Sequence, residues 1–285
     1  MIRSLLFVPG DSPRKFDKAM ACSADALILD LEDSVAQASK EAAGATVLGL
    51  LGQPRGDKKI FVRVNALDTG MLLRDLAAVM AGRPDGVMLP KCGGPQDVIQ
   101  LGHYLDAFEA SLGLAPGVTA IIPVATETPQ AVLALKGYEA CGPRLWGLLW
   151  GAEDLSCAIG ATTNRSPDGQ YRSPFRLTRD LCLMAATAAG VVPIDTVYTD
   201  FRDLEGLALE TTQGRIDGFA AKAAIHPAQC DTINAAFHPS EQELAWANAV
   251  LKALREGPSG GVASLDGKMI DRPHEVQARR ILGLA

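Results

Sequence analysis

Short apolar runs alternate along the chain with longer stretches of helical periodicity. The runs fall at residues 4–8, 26–29, 60–64, 86–89, 120–124, 147–150, 194–198 and 221–225, and helical patterns occupy residues 95–112, 129–138, 174–189 and 204–216 between them. Runs this short and this apolar read as strands buried on both faces. Strict alternation of strand and helix requires parallel pairing with right-handed crossovers. Eight repeats within about 230 residues match a closed (β/α)8 TIM barrel better than an open doubly wound sheet. Residues 1–237 are therefore expected to form the barrel. Beyond it, residues 240–255 read as an amphipathic helix with Ser240 at the N-cap and Glu243 completing a capping box. A Gly-rich break at residues 257–261, a short arm at 262–273 and a final helix at 274–284 follow. Residues 238–285 are thus expected to be a helical extension with a hinge and a lid-like arm. The alternative is a tail packed on the barrel's own surface.

The functional face of such a barrel is its C-terminal rim, so the residues closing each strand are the candidates. Strand one runs into Pro9-Gly-Asp-Ser-Pro13, strand two into Asp30-Leu-Glu-Asp33, strand three into Arg63-Val-Asn65 and strand four into Pro90-Lys91. Strands five to eight end in Thr126-Glu127, Glu153-Asp154, Thr199-Asp-Phe-Arg-Asp203 and His226-Pro227. Charges at this density beside an apolar core need partners, because burying an unpaired charge costs too much. Glu127 and Asp154 close consecutive runs, which places two carboxylates side by side. Mg2+ takes oxygen ligands and accepts one or two protein carboxylates while keeping positions for water and substrate, so the pair suggests an open catalytic Mg2+ site. For either acid the alternative is a cap on the following helix or a solvated loop.

Composition narrows the classes. A formal charge of -6 without a Lys/Arg cluster argues against general nucleic-acid binding. No apolar run approaches the roughly 20 residues that span a bilayer, and the first residues lack a signal-peptide layout, so a cytoplasmic location is expected. The six cysteines are scattered, with no CxxC pair, and read as reduced thiols.

The segments RSLLFVPGDSPRKFDKA, LILDLEDSV, VRVNALDTG, VMLPK, the ET of VATETP, WGAEDL, GFAAKAAIHPAQ and DGKMIDRP resemble the citrate lyase beta-subunit-like branch of the malyl-coenzyme A lyase and HpcH/HpaI aldolase superfamily. The resemblance covers nearly the whole chain in the correct order. It implies a TIM barrel with a C-terminal extension, assembled as a homotrimer or a multiple of trimers, and Mg2+-dependent cleavage or formation of a carbon–carbon bond in a 3-hydroxyacyl-CoA thioester. Carried over by motif position, Glu127 and Asp154 are the metal ligands and Arg63 binds substrate. Asp271 matches an acid/base aspartate delivered from a neighbouring subunit. The chain departs from the family pattern at Ala221, where Gly commonly precedes the lysine, and at Pro129-Gln130-Ala131, where a small residue and Gly are frequent.

Cleaving between the α and β carbons leaves a carbonyl product and a thioester enolate, so the catalyst must stabilise negative charge on oxygen and manage two protons. A guanidinium suits carboxylate or enolate oxygens, which fits Arg63. A carboxylic acid on a mobile arm, Asp271, can protonate the enolate or remove a methyl proton in condensation. Asp30, Glu32 and Asp33 can orient metal-bound waters or hold Arg63, the alternative being ordinary helix capping. Lys91 is either a substrate or phosphate contact or a solvated lysine, His226 favours a structural hydrogen bond, and Asp200 and Arg202 are expected to pair with each other or with neighbours at the rim. Ser12 and Pro13 read as a helix start whose amides, with Arg14 and Lys15, would suit the phosphates of coenzyme A, or as a plain surface helix start. Other readings are the beta subunit of a citrate lyase complex acting on a carrier-protein thioester, a class II pyruvate-type aldolase, and a non-catalytic acyl-CoA-binding barrel.

Overall fold

Each apolar run becomes a parallel strand because both of its faces find cover. The computed structural model describes residues 2–257 and 261–284. Its strands are β1 (Ser4–Pro9), β2 (Ala26–Asp30), β3 (Lys59–Arg63), β4 (Gly86–Leu89), β5 (Ala120–Pro123), β6 (Gly147–Leu149), β7 (Val192–Asp195) and β8 (Ala221–Ala224). They hydrogen-bond in the order β5-β4-β3-β2-β1-β8-β7-β6. Parallel bridges from Ile121 to Leu145 and from Val124 to Leu149 close the remaining seam, so the sheet is a barrel. The α-helices around it are α1 (Pro13–Ala21), α2 (Lys40–Leu51), α3 (Leu72–Val79), α4 (Pro95–Ser111), α5 (Pro129–Leu133), α6 (Glu153–Ala158), α7 (Ser173–Ala188), α8 (Leu204–Asp217) and α9 (Gln229–Ala236).

The two-residue period of the strands divides the core. Leu27, Leu29, Val62, Val87 and Leu89 turn outward into the layer between sheet and helices. Leu5, Ala26, Ile28, Phe61, Met88 and Ile122 turn inward and fill the barrel. That parity also fixes the rim: Asp30 continues the inward series of Ala26 and Ile28, and Arg63 that of Phe61.

Two elements differ from their sequence patterns. The helix expected at 129–138 stops after Leu133, and Gly137 at φ 104 supplies a left-handed turn that a helix cannot contain. The seventh strand begins at Val192 instead of Ile194. Pro193 contributes no N–H but accepts from Ala220 N at 3.0 Å, so it sits in the ladder, and residues 196–198 leave the sheet for the rim.

Seam closure leans on one buried ion pair. Glu109, fully buried in α4, accepts from Arg144 Nη1 at 2.8 Å and from the amides of Gly117 and Thr119 at 2.8 and 2.9 Å. Burial alone would push the carboxyl up, but the guanidinium and the Thr119 and Gly117 groups hold it down at about 2. With a folded value below the unfolded value of about 4.3, the stability this group contributes is full above the unfolded value and drains away as pH falls towards about 2. Thermal melts between about pH 5 and about pH 2 should therefore be flatter for Glu109→Gln than for the wild type, and the variant should melt lower at pH 7. Parallel slopes would mean that the pair does not carry this linkage.

The chain divides into two compact units, Met1–Phe237 and His238–Ala285. In the second, α10 (Glu241–Glu256) opens with the Ser240/Glu243 capping box, β9 (Ala263–Leu265) and β10 (Lys268–Ile270) form an antiparallel hairpin, and α11 (Arg272–Ile281) follows. Ala247, Val250, Ile270 and Ala278 make its small core. Of the Gly-rich segment expected to act as a hinge, residues 258–260 lie outside the described residues.

Candidate functional site at the carboxyl rim

Strand register brings the first charged group together. Pro9, Asp30 and Arg63 are successive partners across β1, β2 and β3. Asp30, 1% exposed, accepts from Arg63 Nε and Nη2, both at 2.7 Å, while Arg63 Nη1 stands 3.0 Å from Glu32. The guanidinium lies 4.8 Å above the Phe7 ring. Burial would push the Asp30 carboxyl up, but Arg63 holds it below the usual range, and the same carboxylates raise the arginine further. Asp30 also accepts from the amides of Glu32 and Ser34, which folds the β2–α2 turn over the strand end. Of the roles the sequence left open for Asp30, Glu32 and Asp33, contact with Arg63 is made by Asp30 and Glu32, whereas Asp33 stands by Lys91.

The second group is built on Lys91. Its φ of 49 is a left-handed conformation that costs a side-chain-bearing residue of order 1–3 kcal/mol and tends to mark functional turns. In that conformation its backbone amide donates to Glu127 Oε2, while its ammonium reaches back to Glu32 and stands 3.5 Å from Asp33 and 3.8 Å from Asp154. Neither Glu127 nor Asp154 is a helix cap. The cap after β5 is Thr128, whose hydroxyl accepts from Ala131 N at 3.1 Å, and the N-cap of α6 is Ala152. Gly151 is required between the two acids, because a Cβ there would lie 2.9 Å from Glu127 Cγ.

This arrangement fits a hard divalent cation. Burial, with the charge of Asp154 adding, pushes the Glu127 carboxyl up to about 8, although the Lys91 amide works against it. A cation between the two acids would reverse that preference for the protonated form. Phe7, Arg63, Glu127, Leu149, Asp154 and Ile225 are among the residues lining a cavity of about 420 Å3 here, a volume typical of small-molecule sites. A larger hollow of about 720 Å3 opens at the opposite end of the barrel, where Asp25, Lys58 and Lys59 already have partners. Lys58 donates to the Cys22 and Ala24 carbonyls, and Asp25 pairs with Arg3.

Other candidates lie elsewhere. Arg14 and Lys15 are exposed in the first turn of α1, which begins at Pro13 as expected, though the Ser12 side chain makes no capping hydrogen bond. Asp271 belongs to the second unit, where it caps α11; its Oδ1 lies 2.6 Å from His274 Nδ1. Asp200 accepts from the backbone amide of Arg202, whose guanidinium lies over Phe201 at 5.6 Å instead of on the acid. His226 stacks on Phe201, and its Nδ1 accepts from Ala228 N.

One supporting network escaped the sequence. The Trp150 indole donates to Asp195 Oδ1 at 2.6 Å, and fully buried Lys222 joins Asp195 at 3.3 Å to Glu210 at 3.0 Å. Glu210 in turn holds Arg165 at 2.7 Å, and Arg165 lies over Tyr171 at 3.8 Å. The chain around Asp154 is thereby fastened on both sides, by Trp150 before it and, through Asn164 on Glu153 at 2.7 Å, by the loop after α6. A charged residue inside a strand, as at Asp195 and Lys222, was the available signal.

The chain is similar to known proteins along nearly its whole length. Residues 3–227 match the family model described as HpcH/HpaI aldolase/citrate lyase, and residues 175–285 match one described as a C–C bond lyase of the TIM-barrel fold. The chain is 37% identical to a citrate lyase subunit beta-like protein of Mycobacterium tuberculosis, over 97% of this chain and 93% of that protein. It is also 37% identical to a (3S)-malyl-CoA thioesterase of Cereibacter sphaeroides, over 99% and 94%. The crystal structure of protein CitE from Mycobacterium tuberculosis in complex with magnesium, acetoacetate and coenzyme A superposes with a TM-score of 0.84 at 36% identity, covering 99% of this chain and 97% of that one.

Proposed function

Because the chain belongs to the HpcH/HpaI aldolase/citrate lyase family, we propose that it is a Mg2+-dependent lyase that cleaves, or forms, the bond between the α and β carbons of a 3-hydroxyacyl-CoA thioester. Malyl-, methylmalyl-, citramalyl- and citryl-CoA are the substrates of that class. The products are acetyl-CoA or propionyl-CoA and a 2-oxo acid. The observation that carries this reading is the meeting of Glu127 and Asp154 at one lip of the cavity, linked through Lys91, with Arg63 lining the same space.

Mg2+ held by Glu127 and Asp154 would supply a Lewis acid and a template for the substrate's carboxylate and hydroxyl oxygens. The remaining work falls to the chain. Arg63 is fixed by Asp30 and Glu32 and stays charged throughout, so it offers a planar cation to a carboxylate or to the developing enolate oxygen without reorganising. Lys91 balances Glu32, Asp33 and Asp154 and binds the anionic substrate as its ammonium turns towards the cavity. Phe7, Leu149 and Ile225 give the acyl group apolar walls. Asp271 exchanges the proton at the α carbon, giving it in cleavage and taking it in condensation. In this reading it comes from a neighbouring subunit of a homotrimer or a multiple of trimers. Arg14 and Lys15, at the amide-rich start of α1, receive the phosphates of coenzyme A.

The thioesterase name carried by the Cereibacter sphaeroides relative favours one second reading, hydrolysis of the same thioester. Metal dependence tests the shared core. Activity should vanish after treatment with a chelator and dialysis, and return on adding Mg2+; full activity in metal-free buffer would show that Glu127 and Asp154 do not work as metal ligands.

A further inference from the structure

Two of the six cysteines meet across 208 positions of the chain. Cys22 closes α1 and Cys230 lies in the first turn of α9. These helices follow the first and last strands of the barrel, and β1 pairs with β8, so the two thiols face each other across the junction of its ends. Their Sγ atoms are 3.9 Å apart, in van der Waals contact. We propose that Cys22 and Cys230 are a hydroperoxide-reactive thiol pair that closes to a disulfide in the folded protein.

The two partners are unequal in the way such a reaction needs. Cys22 is partly exposed and Cys230 is buried, so the oxidant meets Cys22 while Cys230 waits beneath it as the resolving thiol. The contact with Cys230, against burial and with help from the Ala24 amide and the Lys58 ammonium, favours the Cys22 thiolate, and the Ala19 carbonyl, which accepts from the Cys22 thiol at 3.1 Å, works the other way. Reactivity follows thiolate character and access together. The other thiols lack this combination. Burial pushes Cys92 up to about 12 and Cys141 up to about 11, Cys182 is fully buried, and Cys157 is exposed but far along the chain from either partner.

The backbone supports the pairing independently of sulfur. Asn234 in α9 donates to the Ser23 carbonyl at 2.7 Å, which holds the segment after Cys22 against the helix that carries Cys230. A disulfide needs the sulfurs to approach to about 2.05 Å, a closure of about 2 Å. Cys22 lies beyond the last turn of α1 in an extended conformation, so turning its side chain onto Cys230 gives up the thiol's 3.1 Å contact with the Ala19 carbonyl and leaves the backbone hydrogen bonds of the helix in place.

The step balances with a hydroperoxide as the oxidant. The Cys22 thiolate attacks one peroxide oxygen, the O–O bond breaks, and the departing alkoxide or hydroxide takes up a proton, leaving Cys22 as the sulfenic acid. Cys230 loses its thiol proton and attacks the Cys22 sulfur, the S–O bond breaks and water leaves. Two thiols and one hydroperoxide thus become one disulfide, one alcohol or water, and one water. The bond would tie the first βα unit to the last.

The test uses the full reduced protein with hydrogen peroxide near stoichiometric, followed by non-reducing peptide mass mapping. The expected result is a Cys22–Cys230 cross-linked peptide two hydrogens lighter than the reduced pair, formed before Cys157 is modified. In Cys230→Ser, dimedone should instead trap Cys22 as its sulfenic acid. Should that variant fail to fold, Cys22→Ser serves, and it should lose the cross-link while leaving Cys230 unmodified. Oxidation of Cys157 ahead of any Cys22–Cys230 peptide, or a cross-link that forms only in denaturant, would overturn the proposal.

Discussion

Glu127→Gln is expected to lower kcat/KM for the thioester by about 10³-fold or more, beyond the 10–100-fold that follows loss of a group merely supporting a metal ligand. The substitution keeps the side chain's size, and the amide oxygen can still accept from the Lys91 backbone amide, so the left-handed turn and the 4% exposure of this position should survive. What disappears is one of the two carboxylates proposed to hold the metal. Calorimetry should accordingly show Mg2+ binding weakened in step with turnover, while the melting temperature stays near that of the wild type. If turnover falls with Mg2+ binding unchanged, Glu127 acts on substrate and not on metal.

Asp271→Asn should act on a different quantity. It removes a proton carrier and leaves Glu127, Asp154 and Arg63 in place, so kcat should fall by about 10²–10⁴-fold, the usual worth of a positioned acid or base. KM and Mg2+ affinity should change by no more than a few-fold. The hydrogen-bonded contact between Asp271 and His274 survives in an amide, which keeps α11 capped and makes loss of structure a poor explanation for any loss of rate. Mixing this variant with Arg63→Ala then asks where Asp271 works. If the arm serves a neighbouring subunit, exchanged oligomers contain sites with an intact Arg63 from one chain and an intact Asp271 from the other, and part of the activity returns. Verified exchange without recovery would assign both residues to a site within one chain.

The barrel was legible because its information is local. Eight apolar runs at a strand's length, separated by helical periods, admit few topologies, and the polar residues at their ends had to surface on one rim. The two departures also have local causes. Gly137 broke a helix whose apolar pattern ran on past Leu133, and Pro193 disguised the start of a strand because proline argues against a central ladder position. The acids of the site were visible for the same reason as the strands: Glu127, Asp154 and Asp30 are each charged residues at the end of an apolar run. The long-range parts were not visible. Sequence alone held no sign that Lys91 takes a left-handed conformation to reach Glu127 with its backbone and Glu32 with its side chain, 36 and 59 positions away. The Trp150–Asp195–Lys222 support spans 45 and 27 positions and depends on register between β7 and β8. Whether Glu127 caps a helix or faces the cavity turned on one hydroxyl: Thr128 does the capping, which frees Glu127 for the cavity.

The central claim is that the rim breaks a carbon–carbon bond in a coenzyme A thioester. The most direct measurement incubates the purified protein and Mg2+ with malyl-, methylmalyl-, citramalyl- and citryl-CoA, and follows free thiol alongside glyoxylate, pyruvate and oxaloacetate. The predicted result is a 2-oxo acid released in equal amount with acetyl-CoA or propionyl-CoA from at least one member of the panel, with no free thiol. Free thiol together with the intact hydroxy acid, and no 2-oxo acid from any member, would contradict it.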